Sequence, residues 1–353
     1  MRVRPTVVLI PMFVAMCAGA RAASFDCAKA TRPIERVICS DRALSAADSA
    51  MAAAYRADLP RLTSAGIGLL RADQVQWLAW AQEICKVDQP EHPDAVKCLS
   101  PLYADRAKQL RGAVAVRDGL TFLRRTQFLA EAEQQDERIG APEYPGFGTL
   151  KVSWPRADTD DPAWIAWSAA VEAHMLRQAG AGRVQDGDAS KRKLPFAWVD
   201  AMAAAADVSL EGDLKSVEHG RVTTLIASDG MAHGGAHPFA NAETMTWLLD
   251  EKRTLRASDV FAGDGWRDVV SKLCWDHLQS GETKSNLYDE VKGPDSEALQ
   301  KVVADTTNWT LEQDGLHISF PDYTVAPRLA AVEDAVLSWS DLKGVLAPGF
   351  VTP

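Results

Sequence analysis

The chain has 353 residues, of which 47% are hydrophobic and 24% charged. It is too apolar to remain disordered and long enough for two or three domains. Its formal net charge of −10 argues against nucleic acid and anionic lipid surfaces as partners.

Residues 1–22 carry Arg2 and Arg4, an apolar run from Val7 to Ala18, and Ala20-Arg21-Ala22 before Ala23. That layout reads as a secretory signal with an A-x-A cleavage site. The run is too short to span a bilayer, and no later stretch qualifies, so a periplasmic or secreted protein without membrane insertion is expected. Cleavage would leave 35 basic and 48 acidic residues, with 12 basic and 11 acidic up to Gly112 and 23 basic and 37 acidic beyond it. The second region therefore carries the negative field, which attracts basic partners over a Debye length of about 8 Å.

Export changes how the cysteines read. Cys27, Cys39, Cys85, Cys98 and Cys274 would remain. In an oxidising compartment, four cysteines within about ninety residues point to two disulfides. There is no CxxC and no nearby His pair to complete a zinc shell. Three pairings are formally possible, and the two local ones, Cys27 with Cys39 and Cys85 with Cys98, are favoured. Cys274 sits between Leu273 and Trp275 and reads as a buried, inert thiol.

The first region reads as helical. Thr31 is positioned to cap a short helix with Pro33 in its first turn, running to about Cys39. Ser40 or Asp41 precedes a longer helix with Leu44, Ala47, Met51, Tyr55 and Leu59 at helical spacing, ended by Pro60. A third helix places Leu70, Gln74, Trp77, Leu78, Ala81 and Cys85 on one side. A fourth uses Leu99, Leu102, Tyr103, Arg106 and Leu110. Such short helices bury a modest core, so two cross-links worth about 2–4 kcal/mol each are physically sensible.

Phe25-Asp26-Cys27, Glu35, Ile38-Cys39-Ser40-Asp41, Leu44, Asp48, Tyr55, Gln76-Trp77-Leu78, Cys85, Cys98-Leu99, Tyr103 and Arg106 together resemble the cysteine-framed module of LprI-type lysozyme inhibitors. The resemblance spans residues 24–111 and implies a small disulfide-linked helical domain, placed here at 23–112. Leu44, Tyr55 and Trp77 lie on the apolar stripes of their helices and read as core.

The second region, 113–353, reads as α+β with a mostly antiparallel sheet, and 113–205 is a candidate sub-part of it. Strands are expected at Leu120–Leu123, Leu150–Trp154, Asp207–Leu214, Val217–Ile226, Thr244–Leu249 and Trp309–Phe320, the last a hairpin turning at Asp314-Gly315. Asp161-Pro162 starts a helix through Trp164, Ser168, Val171 and Met175. Further helices fit Trp266–Leu278 and Ser296–Ala304, and 180–193 reads as a loop.

Val222–Ala227, His233-Gly234-Gly235-Ala236-His237-Pro238, Asn241, Leu255 and Ser258-Asp259-Val260-Phe261 begin a second pattern. Trp309-Thr310-Leu311, Asp314-Gly315-Leu316, Ile318, Phe320, Tyr323-Thr324-Val325-Ala326-Pro327, Trp339 and Leu342 continue it. Over about 206–345 the chain is similar to the domain shared by the lysozyme-sensing anti-sigma factor RsiV and the peptidoglycan deacetylase PdaC. The extracellular copy in that family binds lysozyme. This chain departs at Arg328, where the family usually has tyrosine, and 329–336 is less glycine-rich. The resemblance makes His233, Gly234, Gly235, Ala236, His237, Pro238, Tyr323, Pro327 and Arg328 candidate partner contacts.

His233 and His237 are four apart, a zinc-gripping spacing on a helix. Gly234-Gly235 breaks a helix, however, no Glu follows His233, and Asp229-Gly230 reads as a turn, which puts the motif on a loop between strands. Asp229 is the nearest third ligand if a metal binds. GxSxG and Walker loops are absent, and SxxK occurs only at Ser190–Lys193 and Ser340–Lys343, without its companion motifs. The expectation is a cofactor-free, non-enzymatic lysozyme-binding protein directed at a basic muramidase. The alternative is a peptidoglycan-active or glycan-binding metal protein using Asp229, His233 and His237.

Overall fold

A computed structural model describes residues 23–88, 94–132, 147–179, 206–232 and 238–353. The expected signal at 1–22, the loop at 180–193 and His233–His237 lie outside the described residues. A helical region with two disulfides precedes an α+β region whose sheet is mostly antiparallel. Among the described residues, no helix is long and apolar enough to cross a membrane.

The chain divides into two compact units that interleave in sequence, 1–56 with 85–110, and 57–84 with 111–353. The first unit holds α1 (Pro33–Ser40), most of α2 (Arg42–Asp58) and α4 (Ala95–Arg111). Glu35 opens α1: one of its carboxylate oxygens accepts the backbone N–H groups of Thr31 (2.9 Å) and Arg32 (3.0 Å). This corrects the assignment of the cap to Thr31, because a carboxylate in the first turn can reach back to the orphan donors. Asp41 caps α2 through the Leu44 N–H (2.8 Å). Both local disulfides form, Cys27–Cys39 with Cα atoms 5.8 Å apart and Cys85–Cys98 with Cα atoms 5.6 Å apart. The buried apolar set includes Ile34, Ile38, Leu44, Met51, Leu99 and Leu110. Burial pushes the Tyr103 phenol up from its ordinary value, and the nearby Asp48 charge adds to the shift.

The second unit contains α3 (Ser64–Ile84) and a seven-stranded sheet. Its strands are β1 (Val114–Arg117), β2 (Leu120–Ala132), β3 (Phe147–Ala157), β4 (Ala206–Glu218), β5 (Arg221–Ala232), β6 (Phe239–Leu248) and β7 (Arg253–Thr254), in that spatial order. All neighbours are antiparallel except β3 and β4, which run parallel and are separated in sequence by α5 (Pro162–Gln178). Asp161 caps α5 through the Ala163 N–H (2.8 Å). Phe122, Val152, Trp154, Trp167, Val171, Met175, Leu210 and Ile226 belong to the core that α5 shares with this sheet.

The β4–β5 turn falls at His219-Gly220, both at positive φ, and not between Leu214 and Val217 as the sequence suggested. Paired left-handed residues suit a tight hairpin, and the irregularity that mimics a break is a register shift between Leu214 and Ser216. Asp229-Gly230 is likewise not a turn but part of β5, where Gly230 pairs with Phe239.

A second core gathers α7 (Trp266–Leu278), α8 (Glu297–Ala304) and a three-stranded sheet of β8 (Trp309–Leu311), β9 (Gly315–Ile318) and β10 (Ala335–Ser338). Two short helices, α6 (Ala257–Val260) and α9 (Trp339–Leu342), complete it. Phe261 and Trp266 stack with centroids 4.8 Å apart, and Trp309 meets both edge-on at 5.5 and 5.6 Å. Cys274 is fully buried here, and burial pushes its thiol up to about 12.

Candidate binding cleft

Strand alternation places Phe239, Asn241 and Glu243 of β6 on one face, opposite Gly230, Ser228 and Ile226 of β5. Leu210 of β4 pairs with Ser228 and continues that face. The face opens into a cleft of about 430 Å³, bounded on one side by Gln178 at the end of α5 and on the other by Pro321, Asp322, Tyr323 and Arg328. Gly230 makes room for one wall. A Cβ there would stand 2.5 Å from Phe239 Cζ and 2.7 Å from the Asp207 carbonyl oxygen, so only a glycine lets the Phe239 ring lie over the strand.

Polar contacts fix the opposite wall. Glu243 Oε1 lies 2.5 Å from His174 Nε2 and accepts from Gln178 Nε2 at 3.0 Å, tying β6 to α5. Arg328 donates to the Pro238 carbonyl oxygen and approaches Asp322 through Nε at 3.3 Å. The loop before it is pinned from within: Thr324 donates its N–H and hydroxyl to the Pro321 carbonyl, Tyr288 N–H donates to the Val325 carbonyl, and Val325 and Ala326 are buried. Tyr323 adopts φ +63° and its side chain projects, 58% exposed. A turn further on, Leu329 is 98% exposed.

The structure brings Pro238, Tyr323, Pro327 and Arg328 together at one end of the sheet, with Tyr323 and Arg328 lining the cleft and Pro238 and Pro327 exposed beside it. His233, Gly234, Gly235, Ala236 and His237 lie outside the described residues. Asp229 is exposed on β5, and among the described residues no cluster of three His, Cys, Asp or Glu side chains could hold a metal ion. Sequence reasoning missed Gln178, Ser228, Phe239 and Glu243 as cleft residues and Leu329 as an exposed apolar side chain. For Glu243 on β6 the available signal was the apolar-polar alternation of Ala240-Asn241-Ala242-Glu243. The cleft offers ring faces, amides, carboxylates and a guanidinium, which is recognition chemistry.

Residues 27–110 match the family model described as Lysozyme inhibitor LprI. A DUF3298 family protein from Pseudomonas aeruginosa PAO1 is similar in structure over 67% of this chain and 98% of its own, with 14% identity and a TM-score of 0.44. A DUF3298 family member from Bacteroides fragilis NCTC 9343 is similar over 64% of this chain and 94% of its own, also with 14% identity and a TM-score of 0.44. No curated protein matches the chain.

Proposed function

We propose that this is an exported, non-enzymatic protein that binds a basic lysozyme-type muramidase and obstructs it sterically. The match of residues 27–110 to a lysozyme inhibitor family carries this reading. Two disulfides in the matched segment suit an oxidising compartment outside the cytoplasm. The excess of 37 acidic over 23 basic residues beyond Gly112 supplies long-range steering towards a cationic partner. Steering raises the association rate, while lasting capture needs a few buried anchors. We assign that role to the exposed Tyr323 and Leu329, beside Pro238, Pro327 and Arg328.

The test uses the mature chain from Ala23 and a lysozyme acting on a cell-wall suspension. Turnover falls as the protein approaches a stoichiometric amount, and capture weakens as salt screens the charges, by about tenfold over a tenfold rise in ionic strength. Leu329→Asp places a charge at the contact and weakens capture by about tenfold or more. Unchanged turnover at micromolar excess, together with no binding at low salt, rejects the function.

A further inference from the structure

The cleft contains more than a surface for a protein partner requires. Its floor is apolar, from Leu210 and Ile226. Phe239 forms one wall because Gly230 leaves space for its ring, and Tyr323 stands at the rim. Around these rings lie the amides of Asn241 and Gln178, with the Glu243 carboxylate between β6 and α5. The volume of about 430 Å³ falls within the range of small-ligand sites, roughly 300–1,000 Å³.

Each property narrows the ligand. A purely apolar molecule would cover the polar groups without satisfying them, at a cost of about 1–3 kcal/mol each. A polyanion meets Glu243 and Asp322, while Arg328, the one guanidinium lining the cleft among the described residues, is already engaged by the Pro238 carbonyl and Asp322. A sugar ring has an apolar C–H face to lie on an aromatic ring and adjacent hydroxyls that both donate and accept. Side-chain amides and carboxylates are planar, two-atom partners for such hydroxyl pairs. We propose that the cleft is a saccharide-binding site that takes a short neutral oligosaccharide, with Phe239 and Tyr323 as stacking surfaces and Asn241 and Gln178 as hydroxyl partners.

The site is tested on the whole mature chain by calorimetric titration with chitotriose, which bears acetamido groups, and with cellotriose, which bears only hydroxyls. Saturable binding of at least one trisaccharide is expected, little changed by salt because the ligand is neutral. Asn241→Ala and Tyr323→Ala each weaken it by about tenfold or more without lowering the melting temperature, since both side chains are exposed. Val336→Ala, on β10 and absent from the cleft lining, leaves it unchanged. The proposal is overturned if neither sugar saturates by about 10 mM, if both variants bind as the parent does, or if inorganic phosphate binds and the sugars do not. Lysozyme capture measured on the same samples separates the two claims: saccharide binding without capture rejects only the function above, and capture without saccharide binding rejects only this site.

Discussion

Asp73 is the residue on which the second unit places its one deeply buried ion pair among the described residues. Its carboxylate receives Arg125 Nη2 at 2.8 Å, Arg125 Nε at 2.9 Å and the Thr126 N–H at 3.1 Å, with side-chain exposures of 4% and 9% for the two partners. The pair survives burial because its geometry is bidentate and the remaining lone pair is satisfied. Asp73→Ala strands the guanidinium against Trp154, over whose ring it lies at 5.6 Å, and should cost about 3–5 kcal/mol in urea unfolding. Asp73→Leu combined with Arg125→Met should recover most of that loss; failure to recover would mean the charges themselves are needed. Two further outcomes belong to single residues. Cys274 should ignore a thiol reagent in the native state and react once on denaturation, since burial keeps it protonated. Asp259 accepts two hydrogen bonds from Arg253, at 2.6 and 2.7 Å, which hold its carboxyl below the ordinary value of 3.8. A depressed carboxyl stabilises the fold above that value and loses the contribution as acid protonates it. Arg253→Met should therefore lower the melting temperature at neutral pH and make it fall less between pH of about 5 and 2. The Asp73 pair was hidden in the sequence, because a charged residue on a helix face next to an apolar stripe reads as solvent-facing until its partner strand is known.

At the scale of elements, α3 replaces a missing strand. Among the described residues β1 is the strand beside this edge of β2, and it pairs at Leu120–Leu123, with the Arg124 N–H reaching the Ala113 carbonyl at 2.7 Å. Asp73, Gln76 and Trp80, successive on one side of α3, take over the ladder. Asp73 accepts the Thr126 N–H, Gln76 accepts the Phe128 N–H at 3.0 Å and donates to its carbonyl, and Trp80 Nε1 donates to the Leu129 carbonyl at 3.1 Å. An open edge invites intermolecular pairing, so covering it is protective as well as stabilising. Gln76→Leu removes both side-chain contacts to the Phe128 backbone, and should cost about 2–3 kcal/mol and increase aggregation measured by light scattering during refolding. The start of α3 is set from afar. Asp158 accepts the N–H (2.6 Å) and hydroxyl (2.6 Å) of Thr63, and the Gly66 position would put a Cβ 2.6 Å from its carboxylate. The helices themselves were legible, with Trp266–Leu278 found at its observed bounds, because a 3.6-residue apolar period survives in any context. Strand ends and turns were less so. Asp229-Gly230 has turn composition, yet Phe239 across the ladder fills the space that the glycine leaves, and such a cross-strand pair cannot be read from one strand alone.

At the scale of the molecule, the cross-links and the fluorophores are segregated. Both disulfides close loops in the unit formed by 1–56 and 85–110, with sequence separations of 12 and 13. All 11 tryptophans, beginning with Trp77 and Trp80 on α3, fall in 57–84 or 111–353. Tryptophan emission therefore follows one unit, while far-ultraviolet circular dichroism includes the helices of the other. The cysteine spacing made the cross-links legible, but the interleaving was not, because an apolar stripe shows that a helix is buried without showing what buries it. Loops of this size raise stability by about 3 kcal/mol per disulfide when closed. A thiol reductant should thus move the dichroism transition in guanidinium to lower concentration, with a much smaller change in the fluorescence transition. Equal displacement of both signals would mean that the units unfold as one cooperative body. Reduction also bears on the proposed capture of lysozyme, because the segment matching the lysozyme inhibitor family contains both bridges. If that segment carries the contact, reduction abolishes lysozyme capture; if the loop bearing Tyr323 and Leu329 carries it, capture persists in the reduced protein and is lost on Leu329→Asp.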